Sequence, residues 1–164
     1  MFRIAPIAEG HIEGFREVLD SVARERRALL FLEAPPPKDV GEFVRRSIAR
    51  QYPHYVALVE GRVVGWCDVL PADWRATRAH AGLLGIGVLA EFRGQGIGRA
   101  LIGRTLESAR AFGFTRIELS YRQGNARVAS LYESFGFVRE GVQRSAVRVD
   151  GVYEDLVLMA LLLG

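Results

Sequence analysis

Cysteine is all but missing from this sequence: Cys67 stands alone. One thiol cannot build an internal disulfide framework or a cysteine-based cluster, and no metal is expected. Lysine is as scarce. Lys38 is the only one among 22 basic residues, and the net charge is only +3. There is no basic run, no zinc-finger spacing and no interleaving of aromatic with basic residues, so nucleic acid is not expected as a partner. No apolar stretch reaches the roughly 18 residues that suggest a membrane span. The segment Met1–Gly10 lacks the apolar region of a signal peptide, and a cytoplasmic enzyme that does not engage a membrane is the expectation. A Gly-x-x-x-x-Gly-Lys-Ser/Thr loop is also absent, which excludes that mode of holding a nucleoside triphosphate. Internal repeats and low-complexity tracts are absent too.

What is present describes one ordered domain over residues 1–164. With 49% hydrophobic and 25% charged residues the chain can bury a real core. Phe2–Ile7 alternates like a short strand. Ile12, Phe15, Leu19 and Val22 recur at three and four within residues 10–27, the stripe of a helix packed on one side. Ala28–Pro37 is apolar but ends in three prolines, so it reads as a packed loop between two helices. Asp39–Gln51 is the second helix. Tyr55–Glu60 and Val63–Leu70 are strands joined by a tight turn at Gly61. In the loop Pro71–Arg78, Trp74 is expected to plug the sheet edge, the alternative being an exposed recognition aromatic.

Ala81–Leu89 is the next strand, followed by a helix from Gly96 to Phe112 that Gly113 ends. Thr115–Tyr121 then completes a parallel crossover of the usual hand. Asn125 is expected to start a fourth helix, ended by Phe135-Gly136-Phe137. Val138–Val149 and Val152–Leu163 flank Asp150-Gly151, a strong hairpin signal. The sum is an α/β three-layer fold: a mixed central sheet of six to seven strands, about four helices and a C-terminal hairpin.

One stretch organises the rest. The apolar run Leu83–Leu89 hands over to Ala90-Glu91-Phe92, then Arg93-Gly94-Gln95-Gly96-Ile97-Gly98-Arg99, then a helix. Glycines there let backbone approach a ligand closely, and the free N–H groups of a helix start favour anions. The inference is a phosphate-bearing cofactor held by backbone. Gly94-x-Gly96-x-x-Arg99 lacks the third glycine of a dinucleotide fingerprint.

Arg93-x-x-Gly96-x-Gly98 resembles the acetyl-coenzyme-A motif of the GNAT family of N-acetyltransferases, Gln/Arg-x-x-Gly-x-Gly/Ala. Asn125–Phe137 resembles the family's second landmark, an Asn, a short helix with Leu131-Tyr132, then Gly136-Phe137. The two motifs span roughly residues 83–140. The resemblance implies a sheet that splays between the strand before the turn and the strand after the third helix, with the pantetheine arm of acetyl-CoA entering the splay. It implies that backbone from Arg93 through Gly94, Gln95, Gly96, Ile97 and Gly98 to Arg99 holds the pyrophosphate, with added charge from Arg93 and Arg99. Backbone of Ile86, Val88 and Leu89 would pair with the pantetheine, Val88 polarising the thioester carbonyl. Asn125 would reach the pantetheine arm, or simply cap its helix. Tyr132 would protonate the leaving thiolate, or be a core aromatic. Cys67 is read as packed core.

Glu33 and Glu91 are the candidate bases, with Asp68 and His80 ranked lower. Leu83-Leu84 stands where related enzymes often carry a polar or acidic residue, which favours deprotonation through water or an amine of low pKa. The implied activity is acetyl-CoA-dependent acetylation by direct attack of a primary amine of a small molecule or amino-acid-like metabolite. The alternatives are a protein or peptide N-terminal acetyltransferase and a catalytically silent acyl-CoA-binding module. The ending, Glu140–Arg144 and Gly151–Asp155, resembles the branch with ribosomal-protein-alanine, spermidine and small-molecule amine acetyltransferases. There the hairpin frames the acceptor site or a homodimer contact, and Tyr153, Glu154 and Asp155 would attract a cationic amine or form a polar hairpin end.

Overall fold

A computed structural model of the chain describes residues 1–164. The elements run β1 (Arg3–Pro6), α1 (Ile12–Arg24), α2 (Pro37–Ala49), β2 (His54–Val59), β3 (Arg62–Pro71), β4 (Ala81–Val88), α3 (Ile97–Phe112), β5 (Arg116–Arg122), α4 (Ala129–Ser134), β6 (Val138–Val149) and β7 (Val152–Leu162). Seven strands form one sheet in the order β1-β2-β3-β4-β5-β7-β6. Every neighbouring pair is antiparallel except β4 and β5, which α3 joins as a crossover. No helix is long and apolar enough to cross a membrane.

The layers follow from strand alternation. On β3, Trp66 meets Phe15 of α1 at a ring separation of 5.5 Å. Its neighbour Gly65 faces the other way, against Leu101 of α3. So α1 and α3 cover opposite faces of the sheet. α3 buries Ile97, Leu101, Ile102, Thr105, Leu106 and Ala109, one side of its cylinder. Complete burial of a Leu101 or Ile102 side chain contributes about 1.5–3 kcal/mol.

The parallel pair decides where a ligand can go. β4 extends to Val88, yet it pairs with β5 only at Ala81↔Arg116, Gly82↔Ile117 and Leu83↔Glu118. Beyond Leu83 the two strands part, while the β3–β4 ladder continues to Val88. The C-terminal hairpin turns at Asp150 (φ 52°) and Gly151 (φ 79°), two left-handed residues as a type I′ turn requires. β7 lies inside, between β5 and β6, with Leu156, Val157, Met159 and Ala160 buried.

Two expectations fail. Asn125 does not cap the fourth helix. It sits at φ −107°, ψ 38° within a 3-10 stretch, Gln123–Val128, and α4 begins only at Ala129. Glu154 on β7 accepts the Gly124 N–H at 2.6 Å and ties this segment to the sheet before the helix starts. Trp74 is 92% exposed and plugs nothing.

Candidate active site

The glycine turn ends where Gly96 caps α3 in the left-handed region, φ 86° and ψ 2°. An L side chain there would cost roughly 1–2 kcal/mol. A Cβ at Gly94 or Gly96 would meet only open space, so backbone is the surface offered. None of the N–H groups from Gly94 to Arg99 donates to a backbone carbonyl. Ile97, Gly98 and Arg99 are the unpaired first turn that every helix has, and the turn frees the three before them. These donors at the positive end of a 16-residue helix make an anion site.

The two arginines behave differently. Arg93 donates from Nε to the Val88 carbonyl at 2.9 Å and from both terminal nitrogens to the Glu25 carboxylate at 2.8 Å. Its guanidinium straps the end of α1 to the end of β4 and is not free to add charge to a ligand, contrary to expectation. Arg99 donates to the Ser134 hydroxyl at 3.1 Å and lies over the Phe135 ring. Neither contact neutralises it, so it keeps its charge beside the turn.

A cavity of about 920 Å³ opens from this turn along the parted strands. Gly94, Gly96, Ile97, Gly98 and Arg99 form one part of its lining. Ile86, Val88, Asn125 and Tyr132 form a second, and Phe15, Leu19, Phe31, Phe43, Trp66 and Leu70 form an apolar third. Such a volume suits a sizeable small molecule.

The Leu89 N–H donates to the Val64 carbonyl at 2.9 Å. Because an antiparallel ladder alternates, Gly85, Gly87 and Leu89 turn their polar backbone toward β3, and Ile86 and Val88 turn theirs toward the gap. The Val88 carbonyl is held by Arg93, which leaves the Val88 N–H and both polar groups of Ile86 facing the gap. Leu89 is thereby corrected: its N–H is engaged, its side chain is buried and it does not line the cavity.

Tyr132 is 7% exposed, between the rings of Tyr121 and Phe137 at 6.3 and 6.0 Å. Burial pushes its phenol above the ordinary tyrosine value, so it is protonated at neutral pH.

The candidate bases Glu33 and Glu91 are not brought to the cavity. Asp20 accepts the Ala34 N–H at 2.9 Å, and Glu33, next in the chain, turns outward to Arg24 at 3.3 Å with 71% of its side chain exposed. Glu91 is likewise exposed, 3.8 Å from Arg62. Gln95 is exposed, with its amide 3.4 Å from the Glu91 carbonyl, and its side chain lies outside the lining. The hairpin carboxylates are engaged in folding: Glu154 accepts Arg122 and the Gly124 N–H, and Asp155 accepts the Ser145 N–H. Cys67 is fully buried, and burial pushes its thiol up, which leaves it an inert core residue.

The buried carboxylate that lines the cavity is Asp68 on β3. It is 6% exposed and lies over Gly85, where a Cβ would stand 3.1 Å from Oδ1. Next to it the Trp66 ring covers Gly87, where a Cβ would stand 2.2 Å from the ring. Burial pushes the Asp68 carboxyl up to about 7, against a smaller opposing effect of the Gly85 N–H. His54 Nε2 is 3.8 Å from Asp68 Oδ2, and burial lowers that imidazole to about 3. A signal existed in the sequence. Trp66 and Asp68 share one face of an alternating strand, and Asp68 is the lone charge within Val63–Leu70.

The sequence matches the family model described as Acetyltransferase (GNAT) family over residues 19–137. The [ribosomal protein bS18]-alanine N-acetyltransferase of Escherichia coli (strain K12) is 33% identical over 82 residues, 50% of this chain and 55% of that protein. The match thus spans about half the length of that relative. The ribosomal-protein-alanine N-acetyltransferase from Brucella melitensis superposes with a TM-score of 0.93 at 24% identity, over 98% of this chain and 99% of that one. A putative acetyltransferase from Salmonella typhimurium, solved with its cofactor acetyl-CoA, superposes with a TM-score of 0.94 at 19% identity, over 100% and 95%. At these identities the two structures share the fold.

Proposed function

The chain belongs to the GNAT family of acetyltransferases, and on that premise we propose that it moves the acetyl group of acetyl-CoA to a primary amine by direct attack. The observation that carries this reading is the gap between β4 and β5. It runs beside a turn whose N–H groups from Gly94 to Arg99 are free of backbone partners.

The residues present fit such a group. The turn and Arg99 suit a pyrophosphate. The Ile86 and Val88 backbone groups that face the gap suit the amides of a pantetheine arm, as an added strand would. Asn125 borders the same cavity and can orient that arm. When bound, acetyl-CoA supplies an acyl group already activated as a thioester.

This chain's residues do the rest. The Val88 N–H stabilises the negative charge that develops on the carbonyl oxygen, a role in which a fixed backbone donor needs no reorganisation. Tyr132 holds a proton for the leaving sulfur, which general-acid catalysis values at roughly 10²–10⁴-fold in rate. No covalent enzyme intermediate is needed, in keeping with the inert Cys67.

The name of the E. coli relative supports a peptide N-terminus as the acceptor. A second reading, a small amine with an apolar body, is favoured by the aromatic wall of Phe15, Phe31, Phe43 and Trp66. Thiol release from acetyl-CoA tests both, with alanine-initiated peptides beside small amines, and parent beside Tyr132→Phe. Turnover with one acceptor class, sharply reduced in the variant, is expected. Tight cofactor binding with no turnover on any acceptor would sink the enzyme reading in favour of a silent binder.

A further inference from the structure

Three buried side-chain polar atoms in this chain lack any hydrogen-bond partner: Ser47 Oγ and the two ring nitrogens of His54. Buried polar groups are paired as a rule, with protein or with water, so three orphans in one place ask for an explanation. They gather at a second cavity of about 250 Å³, lined by Ser47, His54, Gln51 and Tyr52 among others. Asp68 lines the large cavity and not the small one, and His54 lines the small one and not the large. The two side chains, 3.8 Å apart, therefore span the wall between the cavities.

We propose that Asp68 takes the proton of the acceptor ammonium and that His54 passes it to water in the second cavity, a proton exit separate from the acceptor's entrance. This rests on the acetyl-transfer reading of the large cavity. Asp68 is the buried carboxylate of that cavity; of the other two that line it, Glu25 is held by Arg93 and Asp39 is exposed. The groups around the pair leave it to itself. β2 brings His54, β4 brings Gly85 with no side chain, and α1 and α2 bring the uncharged rings of Phe15 and Phe43, 5.1 and 5.7 Å from the imidazole. Cys67, next on β3, faces the opposite side of the sheet, and its thiol is held protonated.

The chemistry balances. The ammonium gives one proton to the Asp68 carboxylate, and the freed lone pair attacks the thioester carbon. The C–N bond forms, the C–S bond breaks, and the sulfur keeps the electron pair and takes the Tyr132 proton. The surplus proton on nitrogen restores the phenol. Asp68 then gives its proton to His54 Nε2 as Nδ1 releases one to water. Overall one proton reaches solvent and one stays on the thiol.

A carboxyl titrating near 7 is half-ionised at neutral pH, where a base works best. An imidazole that low is neutral, with a single N–H, so it can take a proton at Nε2 as it gives one up from Nδ1. The 3.8 Å gap exceeds a hydrogen bond by about 1 Å. A small swing of the imidazole closes it, since no partner fixes either ring nitrogen.

The test is thiol release from acetyl-CoA across about pH 5.5–9, with phenylethylamine, an alanine-initiated peptide amide and trifluoroethylamine as probes. The last is weakly basic and already neutral near pH 7. The parent's kcat/KM should rise through a limb near 7. Asp68→Asn should lose that limb and about 10²-fold in rate with the strongly basic amines, a deficit that shrinks with trifluoroethylamine. His54→Phe keeps the ring contacts and removes the nitrogens. Its kcat should fall about tenfold, at the low edge of acid–base effects, with KM for acetyl-CoA unchanged. His54→Ala should regain turnover with added imidazole. A His54→Phe enzyme with the parent's rate and pH profile would overturn the exit, and an Asp68→Asn enzyme that keeps the limb would overturn the base. If the parent binds acetyl-CoA yet acetylates none of the probes, the acetyl-transfer reading itself falls and the exit falls with it.

Discussion

Replacing Asp68 with Asn should turn a nearly flat pH–stability contribution into a steep one. In the unfolded chain aspartate titrates at 3.8 and histidine at 6.5, so between those values the pair carries one proton, on the histidine. In the folded chain Asp68 is raised to about 7 and His54 lowered to about 3, so the pair again carries one proton. Equal proton counts give no slope. The cancellation hides two opposed effects. Asp68, raised on folding, contributes stability that is complete below its unfolded value and is lost as pH climbs through about 7. His54, lowered on folding, contributes stability that is complete above 6.5 and is lost as pH drops toward about 3. Asp68→Asn leaves only the second effect. Its stability should fall by about 1.4 kcal/mol per pH unit below 6.5, or about 3 kcal/mol by pH 4. His54→Phe leaves only the first and should lose about 4 kcal/mol between roughly pH 4 and 7. Both are large fractions of a domain's usual 5–15 kcal/mol or so. Urea unfolding at half-unit steps of pH reads these slopes from the midpoint, with the m-value as a check on two-state behaviour. Variants whose profiles run parallel to the parent's would refute the shared proton.

Four further outcomes are expected. Tyr132→Phe should lower kcat by about 10²-fold while KM for acetyl-CoA stays within a factor of about two. Gly87→Ala should cost about 1–3 kcal/mol by overpacking, because the new methyl meets the Trp66 ring at 2.2 Å and that ring is wedged on Phe15; thermal melting measures it. Gly96→Ala should cost roughly 1–2 kcal/mol through its left-handed backbone and weaken acetyl-CoA binding in calorimetry. Glu33→Ala should leave kcat/KM unchanged in the thiol-release assay, and a loss beyond about threefold would return Glu33 to the site.

Much of the fold could be read from period and punctuation. The four-residue stripe of α1, the apolar runs of β2 and β3 and the Asp150-Gly151 turn all encode local geometry, and the structure follows them. The glycine turn was legible for the same reason: its backbone, not its side chains, makes the anion site, and glycine spacing reports backbone directly. Direction of side chains in irregular segments was not legible. Glu33 and Glu91 stand close in sequence to the proposed site, but a loop has no period, so nothing local tells which way a carboxylate points. Arg93 shows a different limit. Its partner Glu25 lies far away in sequence, and only the packing of α1 on β4 brings them together. Asp68 was half legible. Alternation put it beside Trp66, but its reach over Gly85 depends on the β3–β4 register, a long-range property. The early parting of β4 from β5 had no sequence signature of its own and entered only through family resemblance.

That parting also sets where the molecule comes apart. β1 to β4 form one run of antiparallel ladders and β5 to β7 another, and three ladder pairs hold the two runs edge to edge. Cooperative opening follows boundaries of low hydrogen-bond density, so amide exchange should sort the strands into these two blocks. A molecule lying in the gap and pairing with the β4 edge welds the blocks. At a concentration about 100 times its dissociation constant it adds about 2.7 kcal/mol to the folded state. Proteases that attack the opened chain then meet it correspondingly less often. Resistance of the purified protein to a protease should therefore rise with the concentration of whatever fills the seam.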